Sequence, residues 1–263
     1  MNIHFFEEFP NKENLDKLKL ITWPTKLYLA APSLTEFRNI QKIIHNPKIR
    51  EYIYWPILKK EEGYWISPWS KREALQRIFK ELRGKKVKVM IDAEMPTSQN
   101  PKLLLTELPH FMGNRKIIRK FIQDYQQCSV AEYYPEGRLK ETALSIAGLH
   151  FDPKKYNNTL IKMVYHSMHH FDEKFITTEL KLGKQRWGAK FAVALGVLST
   201  GVQGKEQLLS TEQLEEDLRI CKDVGIKEVI IYRSGGLTKE YVKAMEKFSK
   251  QILPKPQQSR LFQ

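Results

Sequence analysis

The sequence predicts a single (β/α)8 barrel of the TIM type, and the main observation behind this is a repeating alternation. Eight short apolar runs recur along the 263 residues, and amphipathic, charged segments separate them. The runs are spaced by roughly 25 to 40 residues, which is the length of a strand, a helix and a right-handed crossover. Eight such units in one chain of this length are typical of a closed α/β barrel with its helices outside.

An open, doubly wound sheet is the alternative arrangement of the same elements. Such a sheet carries a Gly-rich phosphate loop after its first strand, but here Glu7-Glu8-Phe9-Pro10 occupies that position. No GxGxxG or Walker sequence occurs elsewhere in the chain. The barrel is therefore favoured, as one domain over residues 1–253 that is followed by a mobile polar tail over residues 254–263.

The apolar runs are rich in Val, Ile, Phe or Tyr and are bounded by Gly, Pro, Ser or Asn, which is the pattern of buried strands. In chain order they are Ile3–Phe9, Lys26–Ala31, Tyr52–Leu58, Val87–Asp92, Cys128–Tyr134, Leu160–Ser167, Phe191–Leu198 and Val229–Arg233. Capping boxes at Ser33–Glu36, Ser70–Glu73 and Ser210–Gln213 predict three helix starts. In each box a Ser hydroxyl and a later Glu or Gln side chain can satisfy free backbone N–H groups.

The chain is strongly basic, with 44 Lys and Arg against 30 Asp and Glu, a net charge of +14. Such a charge attracts anionic partners, whether a nucleic acid, an anionic lipid or an acidic substrate. The basic segments Lys71–Lys88 and Asn114–Lys120 are candidates for polyanion contact. The alternative is that they form the ordinary solvated outside of barrel helices.

Two cysteines, Cys128 and Cys221, form neither a disulfide framework nor a zinc-ligand spacing, which favours a reducing compartment. The first residues lack the basic and apolar regions of a signal peptide, and no run approaches 18 apolar residues. We therefore expect a cytoplasmic protein with no membrane span.

Asp92 and Glu94 are the strongest candidates for catalysis, because barrel chemistry belongs at the C-terminal ends of strands. Residues i and i+2 of a strand point to the same face. Two carboxyl groups side by side repel each other, which raises one pKa and keeps a proton available for general acid catalysis. The alternative is a solvated strand end whose acids balance nearby lysines.

Glu7, Glu8 and Glu132 are further candidates, because the predicted strands 1 and 5 would present them at the same mouth. For Glu7 and Glu8 the alternative is a salt bridge or a helix N-terminal charge. Glu132 shares its strand face with Cys128 and Val130, so a buried structural acid is an equally good interpretation.

Six residues near the predicted strand ends are candidates for substrate binding: Tyr165, His166, Trp65, Trp69, Tyr133 and Arg233. Sugar rings pack their C–H faces against flat aromatic side chains, so Trp65 and Trp69 favour a carbohydrate cleft. Nucleic-acid bases would stack equally well, and loop aromatics often pack only under their own loop. Arg233, in Arg233-Ser234-Gly235-Gly236, predicts a phosphate or carboxylate site, with a simple turn as the alternative.

No cofactor is predicted, and a divalent metal remains as an alternative. His166, His169 and His170, with Asp172 close behind, carry the residue types of a metal site. A strand end is not a helix, so this spacing does not make the side chains converge.

Two short motifs resemble chitinase-type glycoside hydrolases, which are (β/α)8 barrels. Asp92-Ala93-Glu94 matches the D-x-E that ends strand 4 in that family, and Met163-Val164-Tyr165 matches the M-x-Y on strand 6. The resemblance implies that Glu94 is the proton donor, that Asp92 supports it and positions a substrate acetamido group, and that Tyr165 hydrogen-bonds the reacting sugar. His166 stands where an Asp usually follows the Tyr.

The leading hypothesis is a carbohydrate-active hydrolase that uses strand-end carboxyl groups for general acid and base catalysis. A metal-dependent sugar isomerase, epimerase or lyase on the same barrel is the second hypothesis. The third is a protein without enzymatic activity that binds nucleic acid or another polyanion through its basic helices.

Overall fold

Eight parallel strands pair in chain order and close into a barrel in the computed structural model, which describes residues 1–133, 137–169 and 171–249. The strands are β1 Asn2–Glu7, β2 Thr25–Ala31, β3 Ile49–Pro56, β4 Val89–Ala93, β5 Cys128–Tyr133, β6 Thr159–Val164, β7 Phe191–Gly196 and β8 Glu228–Tyr232. The barrel closes where β1 pairs with β8, for example Ile3 with Val229. The predicted (β/α)8 barrel and all its strands are confirmed.

Helices follow the strands on the outside of the barrel. In the described part of the chain they are α1 Lys12–Lys17, α2 Leu34–Ile43, α3 Arg72–Leu82, α4 Leu103–Thr106, α5 Phe111–Asp124, α6 Arg138–Ala147, α7 Pro153–Tyr156, α8 Glu173–Trp187, α9 Thr211–Val224 and α10 Lys239–Glu246. Short 3-10 turns join several of them. The predicted tail at 254–263 lies outside the described residues.

Side chains of the strands alternate between two apolar layers. One layer fills the barrel interior and contains only strand residues, such as Phe6, Met90 and Ile161. The other lies between the strands and the helices and includes Phe5 and Ile91, the direct neighbours of the first two. This alternation, which follows from the two-residue period of a strand, decides which strand-end side chain faces the mouth.

Two of the three predicted capping boxes cap their helices. The hydroxyl of Ser33 accepts a hydrogen bond from the N–H of Glu36 at 3.2 Å, and that of Ser210 accepts one from Gln213 at 3.1 Å. Ser70 does not cap α3, so that prediction is wrong. Its hydroxyl is already used in the preceding loop, where it accepts from Ser67 N–H and donates to the carbonyl of Trp65.

No helix in the three described ranges is long and apolar enough to cross a membrane. Cys128 and Cys221 are both buried and unpaired, one on β5 and one on α9.

Candidate active site

A cavity of about 260 Å³ opens at the C-terminal ends of the strands, and we call it the cleft. Its walls are largely aromatic: Phe6, Trp55, Trp65, Tyr133, Tyr165, Phe171 and Tyr232. Four carboxyl groups line it: Glu8, Asp92, Glu94 and Glu206. None of the described residues that line the cleft is a Lys or an Arg. The cleft of this basic protein is thus acidic and aromatic.

Asp92 and Glu94 share one face of β4 and its extension, above Met90 in the barrel interior. Asp92 is 4% exposed, and its Oδ1 atom has no hydrogen-bond partner among the described residues. Burial, the charges of Glu94 and Glu8 and a hydrogen bond with Glu94 together raise the pKa of Asp92 well above its usual range. The charged form is unfavourable because the site is poorly solvated and like charges are close.

Glu94 lies further out and is half-buried. Burial raises its pKa to about 7, even though hydrogen bonds with Tyr133 and Asp92 lower it. Because the two carboxyl groups interact this closely, they titrate as a pair rather than as two independent acids. The raised pKa values of both carboxyl groups favour a proton on the pair near neutral pH.

Two tyrosines from the next strands face this pair. The hydroxyl of Tyr133, at the end of β5, hydrogen-bonds Glu94. Tyr165 follows β6, and its ring centre lies 5.5 Å from that of Tyr232. Burial and the nearby charges of Asp92 and Glu94 raise the pKa of both Tyr133 and Tyr165, so both hydroxyl groups remain available as donors.

Glu8 reaches the cleft from the opposite side, at the end of β1. It is 2% exposed and accepts hydrogen bonds from the hydroxyl groups of Tyr64, at 2.7 Å, and Tyr232. Burial raises its pKa, although both hydrogen bonds lower it, and the charge of Glu206 raises it further. Tyr64 sits in a left-handed turn, with φ of 60°, directly after Gly63.

Glu7 points away from the cleft, contrary to its expected position at the mouth. Adjacent strand residues face opposite sides, so only one of Glu7 and Glu8 can reach the interior. Glu7 is fully buried and accepts hydrogen bonds from the Ser234 hydroxyl at 2.7 Å and from the Gly235 N–H at 2.6 Å. It thereby ties the end of β1 to the turn after β8.

Arg233 is likewise held behind the cleft. Its guanidinium donates to the carbonyl of Thr200 at 3.0 and 2.9 Å and to Glu7 at 3.2 Å, and it lies over the ring of Phe9. At 6% exposure it presents little of its charge to solvent. The structure therefore does not bring Arg233 to the position that an anion site at the mouth would require.

Glu132 also lies outside the cleft, on the helix-facing side of β5. It accepts hydrogen bonds from Lys162 at 3.0 Å, His150 at 2.7 Å and the Phe151 N–H at 2.7 Å. Burial alone would raise the pKa of Glu132, but the charge of Lys162 and these hydrogen bonds lower it below its usual value. This arrangement corresponds to the structural interpretation that its strand face allowed.

The described members of the histidine cluster, His166, His169 and Asp172, do not converge on one site. His166 bonds Asp217 on α9 at 3.0 Å, and Asp172 caps α8 by accepting from the Lys174 N–H. His169 lines the cleft, whereas His170 lies outside the described residues. In the part of the chain that the structure describes, no group of three or more His, Cys, Asp or Glu is arranged to hold a metal ion.

Trp65 and Trp69 separate in the structure although they are close in sequence. Trp65 lines the cleft, while Trp69 packs on Phe111 at a ring-centre distance of 4.9 Å and does not reach it. Sequence reasoning missed Tyr232 and Glu206. The alternation on β8, with Ile230 in the interior, signals Tyr232, but no local pattern marks Glu206 in the loop after β7.

No protein-family model matches the chain, and no curated protein is significantly similar to it in sequence. Solved structures are similar in fold. One is the glycoside hydrolase domain of PgaB (BpsB) from Bordetella bronchiseptica, with 11% identity and a TM-score of 0.55 over 95% of this chain and 99% of that chain.

The spore cortex-lytic enzyme SleL is a second relative in fold. The Bacillus megaterium QM B1551 protein is 11% identical, with a TM-score of 0.56, and the Bacillus cereus protein is 9% identical, with a TM-score of 0.56. Each match covers 95% of this chain and 74% of the other. The resemblance to glycoside hydrolase barrels is confirmed at the level of the fold.

Proposed function

We propose that this protein hydrolyses glycosidic bonds and that Glu94 is its general acid. The observation that carries the proposal is the Asp92–Glu94 pair, in which the pKa of Glu94 is raised to about 7 in an aromatic cleft at the mouth of the barrel. A general acid needs a proton at working pH and a pKa near that pH. The glycoside hydrolase domain among the structural neighbours supports the same reaction class.

In this mechanism the proton of Glu94 moves to the glycosidic oxygen while the bond from that oxygen to the anomeric carbon breaks. The leaving group departs as a neutral alcohol. Asp92 hydrogen-bonds Glu94, so it stabilises the carboxylate that this transfer creates. A water molecule then adds to the anomeric carbon and returns one proton to Glu94, which completes hydrolysis.

Other residues that line the cleft would bind the sugar through ring packing and hydrogen bonds. Trp55 and Trp65 offer flat apolar faces to a pyranose ring, and Tyr165 offers a hydroxyl donor. Asp92 Oδ1, buried and without a partner, is placed to accept a hydrogen bond from substrate. By resemblance to chitinase-type enzymes this donor is the N–H of an acetamido group, so N-acetylated oligosaccharides are the first substrates to test.

The decisive experiment compares Glu94→Gln with Glu61→Gln. The first variant keeps the shape of the side chain but cannot donate a proton as an acid. Glu61 is an exposed residue of the loop between β3 and α3, outside the cleft lining, and serves as the matched control. Release of reducing ends is measured from panels of N-acetylated and unacetylated oligosaccharides.

Glu94→Gln is expected to lose about 100-fold or more in kcat, as removal of a general acid does, while Glu61→Gln stays near wild type. Thermal unfolding of both variants verifies that the fold is intact. Near-normal turnover by Glu94→Gln, or a wild-type protein that cleaves none of the glycans, contradicts the proposal.

A further inference from the structure

Three large apolar side chains project into solvent beside the mouth of the barrel, and we call them the apolar ridge. They are Leu105 on α4, Leu108 in the 3-10 turn that follows, and Met112 in the first turn of α5, with exposures of 78%, 60% and 66%. Single exposed aliphatic residues are common, but a contiguous group of them marks an interaction surface.

The segment that carries the apolar ridge is anchored to the barrel. Leu103, in the same helix as Leu105, is 2% exposed, and Asn114 of α5 is fully buried and donates hydrogen bonds to the carbonyls of Pro68 and Ser70, both at 3.0 Å. The backbone of the ridge is thus anchored by buried contacts, whereas the described residues leave its three outer side chains exposed.

A further exposed apolar side chain lies on α6, the helix that packs against α5. Arg119 of α5 donates to the carbonyl of Ser145 at 2.8 Å, which brings the last turn of α6 against α5. Ile146, the next residue, is 63% exposed. The neighbouring helices α5 and α6 thus each carry an exposed apolar side chain, Met112 and Ile146.

The segment around the apolar ridge is mainly basic. Between residues 96 and 123 the basic residues are Lys102, Arg115, Lys116, Arg119 and Lys120, and the acidic residue is Glu107. The three lysines are exposed, whereas Glu107 is only 9% exposed, so solvent meets mainly positive charge. Lys120 pairs with Asp124 at the end of α5, but Lys102 and Lys116 form no ion pair with a described residue.

We propose that the apolar ridge inserts into the interface of a bilayer that carries anionic headgroups, while Lys102 and Lys116 contact the lipid phosphates. Aliphatic side chains flanked by lysines are the composition of surfaces that lie in the lipid interface. A membrane surface is favoured over a nucleic acid because a phosphate backbone offers no partner to exposed Leu and Met side chains. It is favoured over a protein because the three exposed side chains of the ridge are Leu and Met, whereas aromatic and Arg anchors dominate protein interfaces.

This surface lies close to the cleft. Thr97 and Ser98, which lie only a few residues before the helix that begins at Leu103, line the cleft. Attachment through the ridge would hold the mouth of the barrel beside the headgroups. The inference does not depend on the proposed hydrolase activity, since it rests on residues outside the cleft.

The test is co-sedimentation of the full-length protein with phosphatidylcholine vesicles, with and without phosphatidylglycerol, over a salt series. We expect binding to the anionic vesicles that weakens as salt rises, because the phosphate contacts are screened. The variant Leu105→Ser/Leu108→Ser/Met112→Ser is expected to bind at least about tenfold more weakly, since apolar burial drives insertion. Ile43→Ser on α2, where Ile43 is 59% exposed, is the matched control and should bind like wild type.

Circular dichroism and thermal unfolding establish that the triple variant is folded, which is expected because all three side chains are exposed. Several results overturn the inference: no vesicle binding, equal binding to neutral and anionic vesicles, or a triple variant that binds like wild type. Tight, salt-sensitive binding of double-stranded DNA or RNA that the triple variant retains, without vesicle binding, would assign the basic surface to nucleic acid instead.

Discussion

Removing the hydroxyl group of Tyr133 is expected to raise the pKa of Glu94 and to move the alkaline limit of activity upward. This hydroxyl hydrogen-bonds the Glu94 carboxylate and lowers its pKa, which burial otherwise raises to about 7. A hydrogen bond to a charged group contributes about 1.5–3 kcal/mol, and one pKa unit corresponds to about 1.4 kcal/mol. Tyr133→Phe should therefore raise the pKa of Glu94 by about 1 to 2 units.

The sign follows from the role of Glu94 as an acid. Activity requires its protonated form and is lost as the pH rises through its pKa, so a higher pKa extends activity to higher pH. The assay is the pH profile of kcat/KM, together with carbon-13 NMR titration of the glutamate carboxyl groups, which does not depend on turnover.

Tyr125→Phe is the matched control, because the Tyr125 hydroxyl donates to the carbonyl of Val87, away from the cleft. It should leave both the profile and the titration of Glu94 unchanged. An alkaline limit and a carboxyl titration that do not move in Tyr133→Phe would refute the hydrogen-bond argument.

Three further predictions concern charge and metal. The pKa of Glu94 rises from 4.5 to about 7 on folding, so the stability contributed by its neutral form is complete below about pH 4.5 and is lost as the pH rises towards 7. Glu94→Gln should therefore raise the free energy of unfolding by about 1–3 kcal/mol at about pH 8 and change it little at about pH 4, measured by urea unfolding at each pH. Lys162→Met should lower the free energy of unfolding by about 3–5 kcal/mol, because it leaves the buried Glu132 charge without its ammonium partner. The double variant Lys162→Met/Glu132→Gln should recover part of that loss. A Lys162→Met protein as stable as wild type would contradict this. Hydrolysis should survive treatment with a chelator, whereas a loss that added divalent cations restore would favour the metal-dependent isomerase, epimerase or lyase.

The candidate site could be predicted in part because the apolar run and the two-residue period that mark a strand end extend over only a few residues. Asp92 and Glu94 follow an apolar run and share a face by the two-residue period alone, and the structure places both in the cleft. The same reasoning predicts Tyr133, Tyr165 and Trp65, as polar or aromatic side chains at strand ends or in the loop after a strand, and all three line the cleft.

The site predictions that differ from the structure depend on two things that the sequence does not show: the direction in which a side chain faces, and partners from distant elements. The sequence could not choose between Glu7 and Glu8, since a shift of one residue exchanges the two faces of a strand. The buried partners of Glu132 and Arg233 come from distant elements, Lys162 on β6 and Thr200 after β7. No local pattern shows that these charges are already neutralised inside the fold.

The sequence by itself determined the alternation of strands and helices, the barrel and the carboxyl pair on β4, because apolar periodicity and strand geometry act over a few residues. Only the tertiary structure decided that Glu8, Asp92, Tyr165 and Glu206, from four separate parts of the chain, line one cleft. The physical reason is closure: pairing β1 with β8 brings distant strand ends around one axis, and the register of that pairing decides which side chains reach it.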